Sequence, residues 1–227
     1  MINQNFEAAW ESVRSVPLVQ IDFGGGKVVT RTLHGNIATY LCNADGQVLD
    51  ILPGIYTPAS YVQNLRQFKF LANYLVQLSG ETMATRLHTY HRTQADALQN
   101  NQPPLVLVRS AYISKLAIEN PIKLVLASAA AGQTLDTVAS RPVAHEHPPL
   151  DSPEELANWK LLAEDTKINE SLRRRQIHEL LAGKASVRPA DVTKWLYREV
   201  LHADLDDPYL GLGSVLFANY PFQDKVQ

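Results

Sequence analysis

A tight turn between two apolar runs is the feature that most constrains the fold of this chain. Residues 37–42 and 47–52 are rich in β-branched and apolar side chains, and the stretch Asn43-Ala44-Asp45-Gly46 separates them. The pair Asp-Gly favours the positive φ angles that tight hairpin turns require. The sequence therefore predicts an antiparallel hairpin, which Pro53-Gly54 ends.

Two further elements are predicted before this hairpin. Residues 16–23 and 27–33 have extended character on either side of Gly24-Gly25-Gly26, which indicates a second hairpin. Residues 5–14 place Phe6, Trp10 and Val13 at helical spacing and predict a helix. The glycine run is not a phosphate-binding loop, because the Lys-Ser/Thr pair and the helix start are both missing.

The rest of the chain is mainly helical in pattern. Thr57-Pro58 favours a helix start, and apolar residues then recur every three or four positions until Ser79-Gly80 interrupts them. Residues 105–108 fit either a strand or a buried helix start. A capping box at 152–155 opens a helical run that ends at Gly183, and a last helix begins at Pro189.

Composition excludes several classes of protein. The 227 residues carry a net charge of −2, so the basic footprint of a nucleic-acid-binding protein is missing. No apolar run reaches the roughly 20 residues of a membrane-spanning helix. Cys42 is the single cysteine, which excludes an internal disulfide, an all-cysteine zinc site and dithiol redox chemistry. We expect a cytoplasmic protein that does not bind membranes or nucleic acid.

The segment from about residue 35 to 65 resembles the C-terminal half of a thioredoxin-like domain. The resemblance depends on the strand at 37–42, the Asp45-Gly46 turn, the strand at 48–52 and the helix that follows Pro58. It implies an α/β fold: a degenerate thioredoxin-like sheet with helices, followed by a mainly α-helical C-terminal region. The corresponding regions are 1–100 and 101–227.

Two departures from that family remove its chemistry. Its redox activity needs a Cys-x-x-Cys pair at a helix start, and this chain has none. Gly35-Asn36 stands where the family usually has a cis-proline. The resemblance therefore implies a scaffold without the redox reaction. It suggests a divergent bacterial member of the thioredoxin-like superfamily.

Three groups of residues are candidates for chemistry. Cys42 can act as a reactive thiol, although free cysteines in strands are usually buried and inert. Histidines and aspartates can bind a metal, the one cofactor that the sequence suggests, although none has established motif spacing. The metal candidates are His145, His147, His178, His202, Asp204, Asp206 and Asp207.

The third group is the run Arg173-Arg174-Arg175. Guanidinium groups bind oxyanions, but three successive helical residues spread over about 300° and cannot form one patch. We expect at least one of them to pair with Glu170, Glu179 or the aspartates at 204–207. The last pairing is our preferred hypothesis, because it would fasten the C-terminal region.

The sequence has clear signals for helices, strands and turns, but none of its candidate catalytic residues has the spacing of a known catalytic motif. The sequence favours a non-catalytic binding or scaffold protein with a protein partner or a homo-oligomer. Two alternatives remain: a metal-dependent enzyme that uses the histidines and C-terminal aspartates, and a single-cysteine thiol redox protein.

Overall fold

The computed structural model describes residues 2–32, 37–78, 80–109, 122–126, 152–184 and 186–213. Contacts divide the chain into two compact units. One unit is Ala38–Asp191, and the other combines Met1–Ile37 with Val192–Gln227. The second unit draws on both ends of the chain, and the regions 1–100 and 101–227 stay a prediction.

Strands pair only as antiparallel two-stranded ribbons within the described ranges. The ribbons are β1 (Leu18–Asp22) with β2 (Val28–Thr32), β3 (Ala38–Cys42) with β4 (Val48–Pro53), and β5 (Leu105–Arg109) with β6 (Ile122–Leu126). The prediction of a mixed α and β chain is confirmed. The thioredoxin-like arrangement is a finer claim than these ribbons show, and it stays a prediction.

The hairpin β3–β4 follows from its turn chemistry. Gly46 adopts φ +76°, and the Asn43 side chain accepts hydrogen bonds from the backbone N–H groups of Asp45 and Gln47 at 3.1 and 2.9 Å. Beyond the ladder, the Val48 N–H donates to the Val187 carbonyl at 2.7 Å. Every residue of β4 is buried, so this strand lies at the centre of its unit.

Four helices complete the unit Ala38–Asp191 in its described ranges. They are α2 (Pro58–Leu75), α3 (Gly80–Gln99), α4 (Pro153–Ile168) and α5 (Arg174–Ala182). A π-helical turn, Asn169–Arg173, joins α4 to α5 without a break in the backbone. Helix α3 packs along α5, and α5 also contacts β4. One described strand and two helices therefore meet at a common core.

The helix ends are only partly as predicted. Ser152 caps α4 by accepting the Glu155 N–H at 3.2 Å, which confirms the serine half of the predicted capping box. Thr57 precedes α2 but its side chain makes no capping bond. Its backbone N–H instead donates to the Thr166 hydroxyl at 2.9 Å, because the β4–α2 loop is held against α4.

The other unit contains the ribbon β1–β2. Helix α6 (Pro189–Trp195) begins in the first unit and ends in this one. It continues as a π-helical turn, Leu196–Val200. The predicted helix at 5–14 is wrong, since the N-terminal helix α1 is only Ile2–Asn5. Trp10 is 90% exposed. An amphipathic pattern without a surface to pack on does not stabilise so short a helix.

No helix in the described part of the chain is both long enough and apolar enough to cross a membrane.

Candidate functional site

A single carboxylate occupies the middle of the buried strand β4. Asp50 lies between apolar residues and has no exposed surface. A buried carboxylate without a partner would cost several kcal/mol, so the fold must supply a cation or hydrogen-bond donors. Helices α3 and α5 supply both.

The carboxylate of Asp50 receives four hydrogen bonds. Arg174 donates Nη1–H to Oδ1 and Nη2–H to Oδ2, the second at 2.8 Å. The Tyr90 hydroxyl donates to Oδ2 at 2.8 Å, and the Ile51 N–H donates to Oδ1 at 2.7 Å. An ionised carboxylate offers about four acceptor positions. The acceptor capacity of Asp50 is therefore filled.

Arg174 directly follows the π-helical turn, as the first residue of α5. Such turns occur inside α-helices, frequently at functional sites. From the first residue of α5, the guanidinium reaches Asp50 and also donates to the Ile51 carbonyl at 2.5 Å. The guanidinium carbon lies 5.8 Å from the centre of the Phe68 ring, which adds a cation–π contact.

Two histidines bond to each other beside this ion pair. His91 on α3 and His178 on α5 are both buried, and their Nδ1 atoms are 2.8 Å apart. In such a bond one Nδ1–H donates and the other Nδ1 accepts, so at least one ring must be unprotonated at that atom. The Tyr90 ring stands edge-on to both imidazoles, at 5.0 and 5.7 Å between centroids.

The burial and charges of this cluster set the protonation states. Burial favours the neutral form of Asp50, but the Arg174 charge outweighs it and holds the pKa of the carboxyl well below its usual range. Burial lowers the pKa of His91 to about 4, although Asp50 opposes the shift. Burial, helped by the Arg174 charge, lowers the pKa of His178 well below its usual value. At neutral pH the ion pair is charged and both imidazoles are neutral.

Tyr90 completes the cluster as a neutral donor. Burial, followed by the charge of Asp50, raises the pKa of its hydroxyl well above the usual value. The five side chains therefore carry one negative and one positive charge at neutral pH. We call this group the polar cluster; its members are Asp50, Tyr90, His91, Arg174 and His178.

Asp50, His91 and His178 together could also be considered as ligands for a metal ion. Potential ligand atoms of the three lie within 4.8 Å of one another. Tetrahedral zinc at about 2.0–2.1 Å from each nitrogen would hold two imidazole nitrogens roughly 3.3 Å apart, which exceeds the 2.8 Å found here. The ion would also displace donors from Asp50 and add two positive charges to a neutral, buried group. The arrangement therefore fits a closed hydrogen-bonded core better than a metal centre.

The arginine run is distributed over three different partners. Arg174 pairs with Asp50, and Arg173 donates to the Asn169 side chain at 2.6 Å. Arg175 lies 3.5 Å from Glu179, one of its predicted partners. The preferred pairing with the C-terminal aspartates is not the one that the arginines make, because α5 directs Arg174 towards β4.

The C-terminal aspartates have local partners. Asp206 pairs with Lys194 at 2.8 Å, and Asp204 pairs with Arg198 at 3.3 Å. Asp207 accepts the backbone N–H groups of Tyr209 and Gly211 at 2.6 and 3.2 Å. These carboxylates shape a loop. The predicted metal role for them has no support from these contacts.

The remaining predicted residues are Cys42, His202, His145 and His147. Cys42 ends β3 and is half-buried, and burial raises the pKa of its thiol. His202 is exposed and belongs to the unit formed by the chain ends, whereas His178 belongs to the other unit. His145 and His147 lie outside the described residues.

Sequence reasoning missed Asp50, Tyr90 and His91. A signal for Asp50 was present, because a lone acid inside the apolar run 48–52 must have a partner if that strand is buried. For His91 the signal was its position on the apolar face of α3, four residues after Leu87. The sequence does not show which residues these side chains contact: Arg174 for Asp50, and His178 for His91.

No family model, curated protein or solved structure matches this chain.

Proposed function

We propose that this chain is a non-catalytic binding scaffold. The observation that carries the proposal is the closed state of the polar cluster. A general acid, base or metal ligand must reach a substrate, and every member of this cluster is buried and bonded to another member or to the backbone. Among the fully buried polar side-chain atoms of the cluster, Nε2 of His91 is the one without a hydrogen-bond partner in the described part of the chain. Its contacts join β4, α3 and α5.

Exposed apolar side chains support a binding role. Leu18 and Phe23, on and beside β1, are 67% and 65% exposed, and Val28 on β2 is exposed as well. Large apolar side chains grouped on one exposed element are typical of protein-binding surfaces. The buried polar cluster and the exposed apolar side chains of the ribbon β1–β2 are thus on different parts of the chain.

Metal titration tests the proposal against the metal-dependent alternative. Protein purified without a tag is melted with increasing Zn²⁺ or Mn²⁺, and its metal content is measured. We expect no saturable increase in Tm. A ligand at 100 times its Kd would stabilise the fold by about 2.7 kcal/mol, or roughly 5–10 °C in Tm for a chain of this size.

Two histidine variants make the result specific. His178 lies in the polar cluster, whereas His88 is exposed one turn before His91 on the same helix. One equivalent of metal that His88→Gln retains and His178→Gln loses would overturn the proposal in favour of a metal-dependent enzyme.

A further inference from the structure

Arg14 is the one residue between positions 7 and 16 that is not exposed. Its guanidinium donates three hydrogen bonds, all to backbone carbonyls more than 190 residues later in the chain. Nη1 donates to the carbonyls of Leu205, at 3.0 Å, and Asp207, and Nη2 donates to that of Pro208 at 3.1 Å. Both segments belong to the same compact unit. A side chain from the N-terminal region is therefore seated in a C-terminal loop.

The loop that receives Arg14 holds its shape through its own hydrogen bonds. We call Asp204–Gly211 the aspartate loop. The Asp204 N–H donates to the Leu210 carbonyl at 3.1 Å, and the Leu210 N–H donates to the Asp207 carbonyl at 3.0 Å. The Asp207 carboxylate accepts two further backbone N–H groups of the loop. Because none of these bonds involves Arg14, we expect the carbonyls to keep their positions when that side chain is removed.

The chemistry of the aspartate loop suits a guanidinium better than an ammonium. Arginine presents its N–H groups in a planar fork, so two nitrogens reach three separate carbonyls, whereas a lysine ammonium is a compact point charge. The acidic loop also favours a positive charge. The Lys194 hydrogen bond is the main cause that lowers the pKa of the Asp206 carboxyl, and the charge of Arg14 adds to it.

Solvent reaches this arginine, unlike the buried Arg174. The hydrogen bond to Pro208 is exposed, and the other two bonds of Arg14 are only partly buried. Trp10, four residues before Arg14, is 90% exposed. Among the described residues, the hydrogen bonds that join 7–16 to other elements all come from Arg14. A small ligand can therefore enter the loop once this side chain is gone.

We propose that the aspartate loop is a binding site for an arginine side chain, and that Arg14 of the same chain fills it. The ligand class is an alkylguanidinium cation, which the carbonyls of Leu205, Asp207 and Pro208 bind. By filling the site, Arg14 fastens residues 7–16 to the C-terminal region of its unit. The site goes beyond the scaffold proposal, because it lies in the other unit from the polar cluster and takes a ligand of its own.

Chemical rescue in the full chain tests the site. Arg14→Ala empties the loop, and the variant is titrated with ethylguanidinium chloride while the backbone amide NMR signals of residues 204–211 are followed. Ethylammonium chloride is the control for charge and salt. We expect saturable shifts with ethylguanidinium only, at a Kd of roughly 1–10 mM, because a small cation at a partly exposed site binds weakly. The wild type should not respond, because its own Arg14 is present at a higher effective concentration.

A second emptying variant keeps the test independent of the folding of either one. Arg14→Lys keeps the charge but loses the fork. It should also respond to ethylguanidinium, with a higher apparent Kd than Arg14→Ala because the new ammonium competes for the carbonyls.

Two loop variants in the Arg14→Ala background show whether the aspartate loop is the site. Asp207→Ala removes the carboxylate that accepts the loop N–H groups and should raise the Kd at least about tenfold, because the carbonyls lose their fixed positions. Asp206→Ala removes an equal charge that pairs with Lys194 at the surface, and should raise it at most about threefold. Equal shifts with ethylammonium, an equal response of the wild type, or equal effects of the two loop variants would overturn the proposal.

Discussion

Asp50 and Arg174, 124 residues apart in the chain, form a two-point ion pair in the core of the unit Ala38–Asp191. The strand contributes the anion and the second half of a long helix contributes the cation. Both side chains are buried, so water does not solvate their charges. Each charge is therefore balanced mainly by the other. The pair fixes the position of α5 on β4.

Removing the cation alone should be costly. Arg174→Met leaves Asp50 buried without its counter-charge, so we expect a loss of about 3–5 kcal/mol in the free energy of unfolding. Urea denaturation measures it. Arg175→Met, which removes a surface pair with Glu179, should cost at most about 1 kcal/mol. Equal losses for the two variants would contradict a central role for Asp50–Arg174.

Removing both charges should cost less than removing one. The double variant Asp50→Leu with Arg174→Met exchanges the ion pair for apolar side chains, and such exchanges are often neutral or stabilising. We expect the double variant to be more stable than Arg174→Met, as measured in the same urea series. A double variant that loses the sum of the single effects would mean that the two residues act independently.

Acid should destabilise the fold well before Asp50 is protonated. The pKa of His91 falls to about 4 in the folded chain and that of His178 falls too, against about 6.5 in the unfolded chain. Between those values the unfolded chain binds more protons, so the stability falls as pH falls from 6.5 towards 4. Each ring contributes at most about 1.4 kcal/mol per pH unit.

Denaturation at several pH values from 7 to 5 measures that slope. His178→Gln removes one buried titrating ring and should reduce the slope, and Glu179→Gln, at the next position of the same helix but on its exposed side, is the matched control. A wild-type stability that stays flat over this range would show that the histidines are not held neutral.

Gly54 should tolerate alanine much less well than Gly46. Both have nearly the same backbone angle, φ +75° and +76°. A Cβ at Gly54 would lie 2.8 Å from the Asn169 side chain, whereas a Cβ at Gly46 would meet nothing within 4 Å. Asn169 donates to the Ile55 carbonyl at 2.7 Å, so a displacement would loosen the loop.

The difference between the two glycine variants isolates that contact. Gly46→Ala should lose about 1–2 kcal/mol for the left-handed backbone. Gly54→Ala should lose the same amount plus about 1–3 kcal/mol for the displaced hydrogen bond. Thermal or urea unfolding of the two variants compares them, and equal losses would count against the role of Asn169.

Cys42 should react slowly with alkylating reagents. Burial raises the pKa of its thiol, so less thiolate is present at a given pH than in a free cysteine. Iodoacetamide labelling of folded protein at pH 7.5, followed by mass spectrometry, should be slower than labelling of the urea-unfolded chain. Faster labelling in the folded state would revive the single-cysteine redox alternative.

Local chemistry made much of the secondary structure predictable. The turn at 43–46, the glycine-rich turn at 24–26 and the capping box at 152–155 each act through atoms a few residues apart. The strands β1 to β4 agree with their predicted spans to within two residues at each end. The failed helix at 5–14 had the right spacing, but Trp10 on its apolar face is exposed among the residues that the structure describes.

The sequence by itself determined where the chain turns and where the strands β1 to β4 lie. Only the tertiary structure decided that Asp50 pairs with Arg174, that His91 bonds to His178, and that the C-terminal aspartates bind Lys194 and Arg198. The physical reason is the separation along the chain of the atoms involved. Turns and caps depend on atoms a few residues apart, whereas the partner of a buried charge depends on which distant helix packs against the strand. A π-helical turn directly precedes Arg174, and no local pattern predicted that turn.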